Sequence, residues 1–273
     1  MERTSLVVLV TGGSAGIGKA VASHLSELGH VVFGTSRSQQ DPTAFPFEIL
    51  QMDVTDEQSV QTTIESIVQK HGRLDVLINN AGLGMAGPLE NTSDEEAKNI
   101  FDTNVFGVLN TCRHAVPHLR KSEGYMINIT SIAGVFGLPF RGIYSSSKSA
   151  VETISECYSL ELKPHNVKVA VIEPGDFKTK INENRITSAQ VNVEAYPRFK
   201  TVLQQIHDEV DSALDPILIG KCVERILNDS SPKLRYQVAT PIQKMSVLLY
   251  RFLPGRFFEK LLAKHYGLRR TKS

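Results

Sequence analysis

The sequence predicts a three-layer α/β domain: a doubly wound parallel sheet of about seven strands, helices on both faces and a helical C-terminal extension. Three observations carry this expectation. Short β-branched runs alternate with helix-period stretches through the first two-thirds of the chain. The first run leads directly into a glycine-rich turn and an amphipathic helix. No repeat, low-complexity tract or linker divides the 273 residues, a length one α/β domain can fill. Residues 1–273 are therefore read as one domain, with a segment at 176–215 and a C-terminal extension at 242–273 as its appendages.

The first strand is Leu6-Val7-Val8-Leu9-Val10, apolar throughout as a strand covered on both faces should be. Thr11-Gly12-Gly13-Ser14-Ala15-Gly16-Ile17-Gly18 follows, and Ala20, Val21, His24, Leu25 and Leu28 then recur at helical spacing up to Gly29. Further strands are expected at His30–Thr35, Phe47–Met52, Asp75–Asn79, Met126–Thr130, Val167–Glu173 and Leu234–Thr240. Strand, glycine turn and helix form the setting of a dinucleotide site, because glycines allow close backbone approach to a pyrophosphate and the helix N-terminus supplies free N–H groups. The spacing is Gly-x-x-x-Gly-x-Gly, one residue longer in its first gap than the common fingerprint. The second strand ends without the acid that would bind a ribose 2′-hydroxyl; Ser36-Arg37-Ser38 stands there instead. A guanidinium and hydroxyls favour a 2′-phosphate, so NADP(H) is expected over NAD(H).

Tyr144 and Lys148 are four residues apart, on one face of a helix. An ammonium that close favours phenolate, so the Tyr144 pKa is expected to fall from about 10 toward neutrality, as a general acid/base requires. Alone, such a pair is equally a feature of a solvated helix face.

With these residues, the chain resembles the short-chain dehydrogenase/reductase family, in its compact single-domain, Rossmann-type branch, over residues 5–180. Thr11–Gly18 matches the cofactor turn, and Asn79-Asn80-Ala81-Gly82 matches the sheet-stabilising motif. Asn104, Ser131, Tyr144 and Lys148 match the catalytic tetrad, with spacings of 27 and 13 residues across the first three. Pro174-Gly175 followed by Thr179 matches the loop that holds the nicotinamide.

The resemblance implies a role for each position. Tyr144 would exchange a proton with the substrate oxygen, and Ser131 would hold that oxygen. Lys148 would lower the Tyr144 pKa and bind the nicotinamide ribose; Asn104 would orient a water linking Lys148 to solvent. Gly12, Ser14, Gly16, Ile17, Gly18, Ser36 and Arg37 would contact the cofactor. So would Asp53, Val54, Asn80, Ala81, Gly82, Pro174, Gly175 and Thr179. The residues leave other readings open: Ser131 as a turn or cap, Asn104 as a buried amide serving backbone, and Asp53 as a loop or helix cap. Subunits of the family commonly pair through the helices after Asn104 and around Tyr144, which implies a homodimer or homotetramer.

The carbonyl's surroundings are expected from three segments: 135–140, 83–85 and about 176–215. Met85, Phe136, Leu138 and Phe140 suggest an apolar slot, although they equally suit a core. The expected reaction is NADPH-dependent reduction of a lipophilic ketone, as in steroid- and retinoid-active relatives of the family. A 3-oxoacyl thioester reductase is the alternative enzyme, and an NADP(H)-binding sensor without turnover is the alternative of another class.

Charge is uneven. From Ile242 to Ser273 the chain has eight basic residues (Lys244, Arg251, Arg256, Lys260, Lys264, Arg269, Arg270 and Lys272) against one acid, Glu259. The same stretch holds Leu248, Leu249, Phe252, Leu253, Phe257, Phe258, Leu261 and Leu262 and is interrupted at Pro254-Gly255. This is the pattern of amphipathic helices that pack on the domain, on a partner subunit or weakly on an anionic membrane surface. Cys112, Cys157 and Cys222 have no metal-ligand spacing and suggest a reducing compartment. Met1–Ser5 runs straight into the first strand, no apolar run approaches a membrane span, and no nucleic-acid motif is present; a cytoplasmic location is expected.

Overall fold

A computed structural model of the protein describes residues 5–179, 185–211 and 213–268. Seven parallel strands form the central sheet: β1 (Val7–Val10), β2 (Val31–Ser36), β3 (Glu48–Gln51), β4 (Val76–Asn79), β6 (Tyr125–Ile129), β7 (Lys168–Pro174) and β9 (Arg235–Val238). Their spatial order is β3-β2-β1-β4-β6-β7-β9. A short separate pair joins β5 (Met85–Ala86) to β8 (Ile186–Thr187). Every sheet strand expected from the sequence is present, with ends displaced by one or two residues.

Side-chain alternation divides the sheet between two cores. Leu9, Leu77, Met126 and Val169 face one layer, built from α2 (Glu57–His71), α4 (Gly107–Ser122) and α5 (Gly142–Glu161). Val8, Val10, Val76, Ile78, Ile127 and Ala170 face the other, built from α1 (Gly16–Glu27) and α7 (Ile217–Leu227). Both layers are lined by the apolar side chains of the strands, most densely in β1 and β4. The two buried strand asparagines are hydrogen-bonded: Asn79 donates to Asn128 Oδ1 at 2.8 Å, Thr111 donates to Asn79 Oδ1 at 2.6 Å, and Asn128 donates to Ser155 Oγ at 2.8 Å. This chain ties β4 and β6 to α4 and α5, satisfying amides that would otherwise be costly to bury.

The strand order reverses direction between β1 and β4. At such a switch point the loops leaving the two strand ends diverge and leave a crevice. The loops here are Thr11–Ala15 and Asn80–Gly84, two of the segments singled out in the sequence. Beyond the sheet, α3 (Asp94–Phe101) packs on α5, α6 (Phe199–Asp211) packs through Val202 and Ile206 against Tyr266, and α8 (Pro241–Phe252) and α9 (Gly255–His265) form the C-terminal extension. A capping box on Thr240 and Gln243 starts α8, and Pro254 separates the two helices. Arg269, Arg270 and Lys272 lie outside the described residues, as does 180–184 of the segment expected to contact substrate.

Candidate active site

The glycine turn is held by Asn80. Its Nδ2 donates to the carbonyls of Thr11 (2.9 Å) and Gly12 (3.1 Å), and the backbone N–H groups of Asn80 and Ala81 donate to Thr11 Oγ1. Gly12 has φ +65°, and a Cβ there would come within 3.0 Å of Ala81 Cα. At Gly18 a Cβ would sit 2.2 Å from the Gly12 carbonyl oxygen. These contacts explain why the turn consists of small residues. Helix α1 begins at Gly16 with Ala15 as its N-cap and no side chain bonded to its first N–H groups. Those groups are available to an anion. Ser14 is half-buried on the same turn, and Thr179 lies against Gly16 from the opposite side.

A groove of about 210 Å³ runs from this turn to the helix carrying Tyr144 and Lys148; Gly12, Gly16, Ile17, Asn80, Ala81, Gly82, Lys148 and Thr179 line it. Bare backbone at one end and hydrogen-bonding side chains at the other suit a dinucleotide. At the end of β2, Arg37 is exposed and Ser36 half-buried, with Gln40 donating to Ser36 Oγ at 3.3 Å. Asp53 and Val54 are turned to other tasks. The Asp53 carboxylate accepts from Thr55 N and Oγ1 at 2.9 and 2.8 Å, the loop chemistry that was its alternative reading. The Val54 side chain is core, packed where a Cβ on Gly107 would meet it at 2.6 Å.

Tyr144 and Lys148 occupy the first two turns of α5. Ser131, just past the end of β6, faces the Tyr144 phenol across a shared cavity and its hydroxyl accepts from Ala133 N at 3.1 Å. Asn104 sits in a π-helical turn, Asp102–Phe106, between α3 and α4. Such turns widen a helix locally and recur at functional sites. The Asn104 amide bridges both backbone groups of Leu83, accepting from its N–H at 2.7 Å and donating to its carbonyl at 3.0 Å, and it also donates to Ser147 Oγ at 3.0 Å. The same region holds Lys148: a Cβ on Gly82 would lie 3.1 Å from Asn104 Oδ1 and 3.4 Å from Lys148 Nζ. All four positions of the tetrad thus converge on the C-terminal ends of β4 and β6.

The electrostatics differ from the sequence expectation. The Tyr144 phenol is raised above its ordinary value, not lowered. Burial is the main cause, opposed by the Ser131 hydroxyl and by Arg141 and Arg185. The Lys148 ammonium is pushed down to about 8 by burial and donates to the Ile129 carbonyl at 3.1 Å. Sharing a helix face does not commit a long lysine to the phenol; its chain runs to the strand end, and desolvation outweighs the pair's attraction.

Two neighbouring cavities adjoin the tetrad. A small one of about 80 Å³ lies over Tyr144 and Ser131 and is walled by Met85, Arg141, Asp176 and Arg185. The larger, about 520 Å³, shares Ser131, Arg141, Gly175 and Asp176 with it and extends under α8 and α9. Phe136, Leu138, Leu249, Phe258, Leu261 and Leu262 make most of its wall apolar. Of the substrate residues expected from sequence, Met85, Phe136 and Leu138 line these cavities; Phe140 does not. Phe140 has φ +59° and directs its ring against Tyr196 and Phe199, with centroids 6.0 and 5.3 Å apart, where it anchors α6.

Arg141, Asp176 and Arg185 are site residues that the motif reading missed. Burial raises Asp176, which accepts from Gln243 Nε2, and lowers Arg185 to about 10. One signal was available for two of them, since Arg141 lies three residues before Tyr144 and Asp176 directly after Pro174-Gly175. Gly175 is fixed by packing, because a Cβ there would meet Gln243 Oε1 at 2.1 Å. Arg185 falls within the 176–215 segment expected near the substrate, although no motif singles it out there, and the β5–β8 pair brings it to the site.

A doubly wound sheet with a glycine-turn crevice and a Ser-Tyr-Lys constellation at its switch point defines a dinucleotide-dependent oxidoreductase. The family model for short chain dehydrogenase matches residues 6–190. The chain belongs to the short-chain dehydrogenase/reductase family and is an NAD(P)-dependent dehydrogenase/reductase. It is 38% identical over 266 residues to a 3-ketodihydrosphingosine reductase from Bacteroides thetaiotaomicron, covering 96% of this chain and 98% of that protein. It is 33% identical over 277 residues to an NADPH-dependent 3-dehydrocapnine reductase from Ornithobacterium rhinotracheale, covering 94% and 95%. The structure is similar to that of a short-chain dehydrogenase from Streptomyces avermitilis, with TM-score 0.82, 27% identity and coverage of 97% and 100%.

Proposed function

We propose that this protein uses NADPH to reduce a carbonyl on a long apolar molecule to a secondary alcohol. The observation that carries the reading is the apolar cavity of about 520 Å³ that opens onto Ser131 beside Tyr144. A cavity of that size and lining suits a lipophilic substrate whose single reactive polar group reaches the tetrad. The two relatives, a 3-ketodihydrosphingosine reductase and a 3-dehydrocapnine reductase, support the direction of reaction.

The dinucleotide supplies the hydride when bound. Gly12, Ser14, Gly16, Ile17 and Gly18 would cradle its pyrophosphate, Asn80, Ala81 and Gly82 its ribose, and Pro174, Gly175 and Thr179 its nicotinamide. Ser131 holds the substrate oxygen and stabilises charge developing on it. Tyr144 gives its phenolic proton to that oxygen. A phenol raised by burial is fully protonated at neutral pH, as the acid of a reduction must be. Lys148, close to Gly82, would hold the ribose and return a proton toward Tyr144, with Asn104 fixing the loop that positions Gly82.

Preference for the phosphorylated cofactor rests on Arg37, an exposed guanidinium that stands between Ser36 and Ser38 at the end of β2. Arg37→Asp should lower the NADPH-to-NADH ratio of kcat/KM by about tenfold or more, the loss of a charge-assisted phosphate contact plus a new repulsion. An unchanged ratio contradicts the assignment. Exposed Phe106 beside α4 and Leu160 on α5 favour pairing of subunits through those helices, which sedimentation velocity tests. The three free cysteines, two of them buried, favour a reducing, cytoplasmic compartment.

A further inference from the structure

The C-terminal extension roofs the large cavity while leaving much of its own apolar surface bare. On α8 the inner face holds Val247, which is buried, and Tyr250, whose ring lies 5.4 Å from Phe136. On α9 it holds Phe258, 5.0 Å from the same ring. These contacts seat the pair on the domain, the packing role open from the sequence. The outer face is different. Ile242 is 82% exposed and Phe252 79%, while Met245, Leu248 and Phe257 are each at least half exposed. At 100° per residue, Ile242, Met245, Leu248 and Phe252 form one stripe along α8. Lys244 and Arg251 border that stripe on the side away from the cavity, and Arg256, Lys260 and Lys264 are exposed along α9 beside Phe257 and Leu261.

This apolar surface is continuous with the cavity. Ile242, Met245 and Leu261 belong both to the exposed face and to the cavity wall. The mouth of the pocket therefore opens between two helices whose outer surface is apolar and rimmed by cations. Among the described residues of α8 and α9, five Lys/Arg face one acid, Glu259, which is already paired with Arg256 at 2.7 Å. No helix among the described residues is long and apolar enough to cross a membrane.

We propose that α8 and α9 dock the enzyme on the surface of an anionic bilayer and that its substrate passes from the lipid directly into the cavity between them. The bare apolar stripe would enter the headgroup boundary and the bordering cations would meet lipid phosphates. The charge argues against a second copy as the occupant, because two such faces would bring like charges together. This inference rests on the reading of the substrate as lipophilic, and its test separates the two.

The full-length enzyme and a Phe252→Asp/Phe257→Asp variant would be sedimented with vesicles of phosphatidylcholine alone and of phosphatidylcholine mixed with phosphatidylglycerol. Neither phenylalanine lines the cavity. The wild type should pellet with the phosphatidylglycerol vesicles and be released by high salt. The variant should bind at least about tenfold more weakly, since acidic side chains replace inserted rings. Turnover of a short water-soluble ketone should be the same in both proteins, while kcat/KM for a long-chain ketone supplied in those vesicles should fall about tenfold in the variant. Equal pelleting of the two proteins, or none with anionic vesicles, overturns the docking. A concentration-dependent dimer that the variant abolishes, without vesicle binding, assigns the face to a second copy and also overturns it. Vesicle binding without reduction of any ketone leaves the docking in place and defeats the proposed reaction instead.

Discussion

Replacing Lys148 by Met should make the cofactor-free enzyme more stable while abolishing its turnover. The Lys148 ammonium is buried, and its pKa lies at about 8 against an ordinary 10.5. That shift corresponds to about 3 kcal/mol by which the folded state disfavours the charged form. Methionine is nearly isosteric with the lysine stem and carries no charge. It forfeits the hydrogen bond from Nζ to the Ile129 carbonyl, worth about 1 kcal/mol net, so the expected gain is about 2 kcal/mol near neutral pH. The pH dependence follows from the direction of the shift. Between about pH 8 and 10.5 the unfolded chain binds a proton that the folded chain does not, so wild-type stability rises with pH across that window. The penalty is complete below about pH 8 and gone above about 10.5. Urea unfolding of both proteins across that range should show the methionine variant ahead near pH 7 and the difference closing as pH rises. A variant less stable than wild type near pH 7, or a difference indifferent to pH, would refute the assignment of Lys148 as a strained, buried cation.

Two other substitutions test how the site is supported. Gly18→Ala places a Cβ 2.2 Å from the Gly12 carbonyl and 2.4 Å from Asn80 Nδ2, so fluorescence titration should show NADPH affinity reduced by about tenfold or more with the fold retained by circular dichroism. Arg235→Met removes the cation that meets Glu152 at 3.0 Å and the fully buried Glu173 at 3.4 Å, directly behind Thr130, which donates to Glu152. Stranding these carboxylates should cost about 3–5 kcal/mol in denaturant unfolding, and a loss below about 1 kcal/mol would show that they are neutralised some other way.

Much of this architecture was legible in the sequence because it depends on local rules. The inner strands announce themselves through apolar, largely β-branched runs such as β1 and β4, and the crevice through glycines that close backbone approach requires. The placement of Asn104, Ser131, Tyr144 and Lys148 followed from motif spacing, and the fold delivers them to one place because β4, β6 and α5 are adjacent. What escaped was tertiary. The Tyr144 pKa depends on burial, which no i, i+4 spacing reports. Phe140 and Phe136 look alike in sequence, but the positive φ at Phe140 turns it away from the cavity. Arg185 reaches the site only through a strand pair formed with residues a hundred positions earlier. The amphipathic tail was visible as a pattern, whereas its position over the pocket mouth was not, because nothing local says which wall a terminal helix will complete.

The most direct test of the whole account is NADPH oxidation with a long-chain ketone, measured for the wild type and for Tyr144→Phe alongside NADPH binding. The account predicts turnover by the wild type, a loss of about a hundredfold or more in the variant, and unchanged cofactor affinity, since only the proton donor is removed. A Tyr144→Phe enzyme that still reduces the ketone at the wild-type rate would contradict it.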